Sequence, residues 1–226
     1  MGKYLVVGGS SGIGKALVEQ LAQNHEVYAT YNTNEIIGDA TASFKWEASE
    51  DFDISWLPEE LNGLIYCPGA INLKPFKRFS DDDFLNDYKV QFLGAVKVIR
   101  ACLKLLKSKE AVSSITLFSS VAATTGLNFH SVVSSTKGAV EGLVRSLAAE
   151  FAPTIRVNAV ALSLTNTPLA EKLLNTEEKI EANGKRHPLG RIGTTEDAVQ
   201  AVTYLLHNSW VTGQILQVDG GFGVIK

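Results

Sequence analysis

The chain has 226 residues and a formal net charge of −3, with 45% hydrophobic residues, enough to bury a sizeable core. No block of like charge exceeds residues 81–83, which argues against a nucleic-acid surface. No apolar run reaches the roughly 18 residues that a bilayer span needs, and the first strand begins too early for a signal peptide, so a cytoplasmic protein without a membrane partner is expected. No linker or repeat divides residues 1–226, which are read as one domain. Cys67 and Cys102 show no metal spacing, and both are read as buried free thiols.

Residues 4–7 form a short apolar run rich in valine, as expected of a strand buried on both faces. Gly8, Gly9, Gly12 and Gly14 follow, and helical spacing resumes over 15–22. A strand that turns through glycines into a helix presents backbone N–H groups and the positive helix end to an anion. The loop, with Gly8, Ser10, Ser11, Gly12, Ile13 and Gly14, is read as a dinucleotide pyrophosphate site, and a side chain at Gly14 is expected to intrude on it. Residues 26–30 read as the second strand. In a dinucleotide fold an acid at its end binds the ribose 2′-OH, whereas a basic residue accommodates a 2′-phosphate. Here Tyr31 and Asn32 occupy that place. The absent acid favours NADP(H) over NAD(H), with Asn32, Thr33 and Ser11 as phosphate donors; otherwise these are ordinary loop residues.

A third strand is predicted over 42–46, then a brief helix or irregular turn to 62, and a fourth strand with its exit over 63–69. Ser80 followed by three aspartates reads as the start of a helix reaching about Lys107. Its predicted apolar stripe is Phe84, Tyr88, Ala95, Val98, Cys102 and Leu105, with Gln91 on the same face. A buried Gln needs partners, or it costs on the order of 1–3 kcal/mol. A fifth strand is predicted over 114–120 and a long helix over 131–151, whose stripe of Val133, Val140, Val144, Leu147 and Phe151 includes Lys137. That lysine is either functional or snorkelling to solvent. A sixth strand (156–161), an irregular helical flap (169–186), a last helix (196–207) and a last strand (213–218) complete the chain. The pattern predicts an α/β Rossmann-type fold, a doubly wound parallel sheet of about seven strands with helices on both faces.

The spacing Gly8-x-x-x-Gly12-x-Gly14 resembles that of the short-chain dehydrogenase/reductase family. So do Ser119-Ser120, Lys137, the stretches 155–160 and 188–191, and residues 212–221. The resemblance implies hydride exchange between a nicotinamide cofactor and a small carbonyl or conjugated compound. It also implies a homo-oligomer, a dimer or tetramer. By family position Glu47 and the Ala48 backbone meet the adenine, Gly69 passes the ribose, and Lys137 holds the nicotinamide ribose. Thr167 meets the carboxamide, Leu162-Ser163 replace Pro-Gly, and Ser120 binds the carbonyl oxygen. Gln91 stands where the family has an Asn in a proton relay.

The family's proton-donating Tyr, four residues before the Lys, corresponds to Val133, and no Tyr lies between Tyr88 and Tyr204. His130, at the seven-residue spacing of the enoyl-reductase members, Ser120 and Ser134 are the candidate substitutes. His25, His187 and His207 are read as structural. Two functions follow: an NAD(P)-dependent oxidoreductase with a non-standard proton donor, or a catalytically silent nucleotide-binding sensor or scaffold.

Overall fold

The computed structural model describes residues 1–36, 38–107 and 112–225. Seven strands form one parallel sheet: β1 (Lys3–Val7), β2 (Glu26–Tyr31), β3 (Ala42–Lys45), β4 (Gly63–Tyr66), β5 (Ser113–Ser120), β6 (Ile155–Leu162) and β7 (Ile215–Val218). Their spatial order is β3-β2-β1-β4-β5-β6-β7, the doubly wound Rossmann-type architecture predicted above. The main helices are α1 (Gly12–Ala22), α2 (Asp81–Tyr88), α3 (Gly94–Leu106), α4 (Ser131–Phe151), α5 (Glu171–Leu174), α6 (Glu177–Gly184) and α7 (Thr195–His207). Among the described residues no helix is long and apolar enough to cross a membrane.

Side chains alternate across a strand, so each central strand feeds two cores. Leu5 and Val7 of β1 pack with Leu64, Ile115 and Leu117 beneath α3 and α4. Tyr4 and Val6 pack on the opposite face with Ile65, Val160 and the inner stripes of α1 and α7. Cys102 lies in the first core, as expected of a buried thiol, whereas Cys67 is only half-buried.

The helix expected over 80–107 is interrupted. Ser80 and Asp83 form a capping box at the start of α2, but residues Lys89–Leu93 make a π turn before α3. The cause lies in β4: the Tyr66 hydroxyl donates to the Val90 carbonyl at 2.6 Å. It also occupies the space beside Gly94, where an added Cβ would come within 2.1 Å of the Tyr66 oxygen. A tyrosine wedged against the helix thus satisfies a carbonyl that a π turn displaces from the regular ladder. The predicted stripe holds at Ala95, Val98 and Cys102, but Tyr88 is exposed and stacks on Phe92 at 4.6 Å. Asp87 takes the inward place, with 4% of its surface exposed.

The stretch around Arg156 is structural. Its guanidinium is buried and donates to the carbonyls of Leu205 (2.6 Å) and Leu206 (2.7 Å) at the end of α7 and to that of Val211 (3.2 Å) beyond it. A cation is favoured there because the two helix carbonyls belong to the negative end of the helix dipole. Arg156→Met would orphan buried acceptors at about 1–3 kcal/mol each. Urea denaturation should therefore show a loss of roughly 2–5 kcal/mol, with no rescue by Lys, whose single nitrogen cannot reproduce the fork.

The glycine loop is pinned by Thr30, whose hydroxyl accepts from the Gly8 N–H at 3.0 Å and whose carbonyl accepts from the Gly9 N–H at 2.8 Å. Gly14 serves a different purpose from the one expected. A Cβ there would lie 2.1 Å from the Gly8 carbonyl oxygen, so it would strike the loop backbone rather than enter ligand space. Gly14→Val should accordingly lower the free energy of urea unfolding itself, by more than the ~1 kcal/mol of an ordinary buried substitution. A variant with native stability and lost nucleotide binding would contradict this packing role.

Candidate active site

The sheet order reverses between β1 and β4, and ligand crevices in such sheets open at the C-terminal strand ends of that reversal. A cleft of about 810 Å³ lies there, within the usual 300–1,000 Å³ of small-molecule and cofactor sites. It gathers Gly8, Ser10, Ser11, Gly12, Ile13 and Gly14 from the glycine loop, and Tyr31, Asn32 and Thr33 from the end of β2. Glu47, Ala48 and Gly69 line it too, as do Gln91, Ser120, Val133, Lys137 and Thr167.

The glycine-loop end suits a dinucleotide. The first turn of α1 carries no acidic residue, and the hydroxyl of its N-cap, Ser11, makes no capping bond, leaving the helix N–H groups to face an anion. Gly12 has φ +52°, and its added Cβ would sit 3.6 Å from Thr167 and Pro168 across the cleft, so a side chain would narrow the gap that a ligand needs. Farther along, Lys97 donates to the carbonyls of Ser49 (2.7 Å) and Glu50 (3.1 Å) and so fixes the loop that presents Glu47 and Ala48. Cys67 also borders the cleft, and the burial of its sulfur raises the thiol pKa, which favours the protonated form.

At the opposite end Lys137 is 8% exposed, which rules out snorkelling, and its Nζ donates to the Phe118 carbonyl at 2.9 Å. Burial pushes its ammonium down to about 8, while the Asp87 carboxylate acts in the opposite sense. Gln91 donates through Nε2 to Asp87 Oδ2 at 2.8 Å. Among the described residues Gln91 Oε1 and Asp87 Oδ1 are buried without a hydrogen-bond partner. The site therefore holds a buried acid, amide and amine grouped around Lys137. Asp87 is the member that sequence reasoning missed; its position four residues before Gln91, one helical turn, was the available signal.

The candidate proton donors fare differently. The Ser120 hydroxyl accepts from the Ala122 N–H at 3.2 Å on the cleft wall. The Ser134 hydroxyl is engaged with the Ala122 carbonyl. His130 starts α4 beside Phe129, a residue with φ 71°, and its Nδ1 lies 2.7 Å from the Asn128 carbonyl. It is not among the side chains that line the cleft. His25 and His207 bond backbone groups. His187, by contrast, is paired with Ser163 at 2.8 Å, and Ser163 does line the cleft. Twenty-four residues separate the two, so no local spacing announces the pair.

A family profile described as enoyl-(acyl carrier protein) reductase matches residues 7–223. The chain is 34% identical over 242 residues to a tropinone reductase homolog of Arabidopsis thaliana, covering 97% of this chain and 91% of that protein. It is 32% identical over 235 residues to L-xylulose reductase of Bos taurus, covering 97% and 96% respectively. The solved structure of Thermoplasma acidophilum aldohexose dehydrogenase in ligand-free form matches with a TM-score of 0.92 at 24% identity, over 100% of this chain and 95% of that one, a likeness of fold. With a profile spanning nearly all residues and relatives above 30% identity along the whole sheet, the chain belongs to the short-chain dehydrogenase/reductase family of oxidoreductases.

Proposed function

We propose that this protein is an NADP(H)-preferring oxidoreductase that reduces a small activated carbonyl or conjugated compound, using a proton donor other than its family's Tyr. The supporting observation is the single cleft in which the glycine loop, the end of β2, Ser120 and Lys137 meet. In this reading residues 1–226 act as one domain, cytoplasmic and homo-oligomeric. A bound nicotinamide would supply the hydride. The Gly8–Gly14 loop would hold the pyrophosphate through its N–H groups beyond Gly9, those of Gly8 and Gly9 being bonded to Thr30, while Asn32, Thr33 and Ser11 would meet the 2′-phosphate beside Tyr31. Glu47 and Ala48 would face the adenine, Gly69 would pass the ribose, and Thr167 would meet the carboxamide. Lys137 would hold the nicotinamide ribose, Gln91 would orient Lys137 and its proton supply, and Ser120 would bind the carbonyl oxygen. Val133, in the acid position, has no proton to donate.

A second reading, a silent nucleotide sensor or scaffold, is favoured by that valine and by the engagement of Lys137 with a backbone carbonyl. Two experiments bear on these readings. Fluorescence titration should show tighter binding of NADPH than NADH. Tyr31→Asp should reverse the order by placing a carboxylate against the 2′-phosphate, and tighter NADH binding by the unmodified protein would refute the preference.

The second experiment assays L-xylulose, tropinone and a 2-enoyl thioester with NADPH. The oxidoreductase reading expects measurable turnover of at least one by the native chain and little gain in Val133→Tyr. The silent reading expects none natively. There, a tyrosine one turn from Lys137 would raise turnover by up to the 10²–10⁴-fold typical of general acid catalysis, about two to four orders of magnitude.

A further inference from the structure

We propose that Ser163 and His187 form the proton-delivering pair of this cleft; the inference rests on the oxidoreductase reading above. Ser163 lines both the main cleft and a second cavity of about 320 Å³ behind it, which His187 borders. Its predecessor Leu162 is the register partner of Ser120 across β5 and β6. Ser163 directly follows that partner, and both Ser163 and Ser120 line the main cleft. Position 163 thus puts a second hydroxyl on the wall of the cleft that holds the serine proposed to bind the carbonyl oxygen.

His187 is built to serve that hydroxyl. It is 5% exposed, its ring packs on Phe222 at 5.3 Å, and its Nδ1 lies 2.8 Å from the Asn183 carbonyl. A carbonyl oxygen only accepts, so Nδ1 carries the proton in the neutral ring, and Nε2 accepts from Ser163 Oγ at 2.8 Å. A protic side chain joined to an imidazole that a third group orients is the arrangement that proton-transfer and nucleophile sites share. The charged side chains bordering the second cavity are Arg191 and Asp197, paired at 2.7 Å, and Asp219, while Arg186 lies over the outer Phe222 ring. Asp219 is held by the N–H groups of Gly221 and Gly223. The cavity holds many times the ~30 Å³ share of one water, so solvent can reach the back of the pair.

The step balances as follows. Hydride adds to the carbonyl carbon, and the C=O π pair moves to oxygen. That oxygen takes the Ser163 Oγ proton, and Ser163 takes the Nε2 proton of an imidazolium His187. His187 returns to its neutral, Nδ1-protonated form, and solvent in the second cavity restores the imidazolium. In the oxidative direction the neutral ring receives the alcohol proton through Ser163. Ser163 is the catalytic residue and His187 a positioning and proton-storing residue.

The test uses the full chain with NADPH and the carbonyl panel named above. Ser163→Ala and His187→Ala should each lower kcat by about 10²-fold or more. KM and NADPH affinity should change less than threefold, and added imidazole should restore part of the rate to His187→Ala but none to Ser163→Ala. In the nucleotide-free protein, long-range ¹H–¹⁵N spectra should show the neutral His187 ring protonated at Nδ1, with the Nε2 resonance shifting in Ser163→Ala. A neutral ring protonated at Nε2 instead of Nδ1 overturns the pair, as does unchanged kcat in both variants, or loss of turnover only in Lys137→Met. Nucleotide binding with no native turnover also overturns it while leaving the cofactor assignment standing; absence of nucleotide binding defeats the oxidoreductase reading itself. If His187→Ala does not fold, Ser163→Ala and the spectrum of the native ring decide.

Discussion

Parallel strands can be joined only through crossovers that return the chain to the same end of the sheet, and this constraint places the site. The chain leaves β1 through α1 toward β2 and β3, then returns past β1 to begin β4 on its other side. Every strand therefore ends at the same edge, and the helices that follow β1 and β4 leave there on opposite faces of the sheet. The divergence leaves a gap no crossover covers, and the cleft occupies it. Residues as distant in sequence as Gly8, Ser120 and Thr167 share that gap because each ends or follows a strand at one edge.

Within the frame, two contacts set the finer geometry. The fit of Gly14 against the Gly8 carbonyl brings α1 onto the loop so tightly that no side chain is admitted. The wedge of Tyr66 against Gly94 opens the π turn and directs Gln91 and Asp87 inward. An unpaired ammonium is costly to bury. The Asp87 carboxylate opposes that penalty, and Lys137 keeps a pKa near 8 instead of falling further. The buried Asp, Gln and Lys are thus best understood as one electrostatic unit in which each charge or amide is tolerable because the others are present.

The departures from the family pattern are unevenly distributed. The glycine loop keeps the family's Gly8-x-x-x-Gly12-x-Gly14 spacing and opens directly into α1. Tyr66, Gln91, Val133 and Ser163, where the pattern changes, lie around the far end of the cleft or in its supports. Tyr66 and Gln91 are linked mechanically, since the tyrosine wedged against Gly94 accepts no side chain there and bonds the Val90 carbonyl within the turn that carries Gln91.

The alternation of strands and helices, the glycine turn and the doubly wound class of the sheet were legible in the sequence because they depend on short-range periodicity and on residues with narrow backbone preferences. Valine-rich runs read as buried strands, and the box of Ser80 and Asp83 announced α2. What the sequence could not supply were contacts between residues far apart in the chain. The π turn depends on a hydroxyl from β4, the inward place of Asp87 depends on that turn, and the Ser163–His187 pair spans 24 residues. Helical spacing put Tyr88 on the buried face because a regular 3.6-residue period was assumed through residues 80–107. Local propensity fixes period and polarity, whereas a side chain arriving from another strand decides which residue finally turns inward.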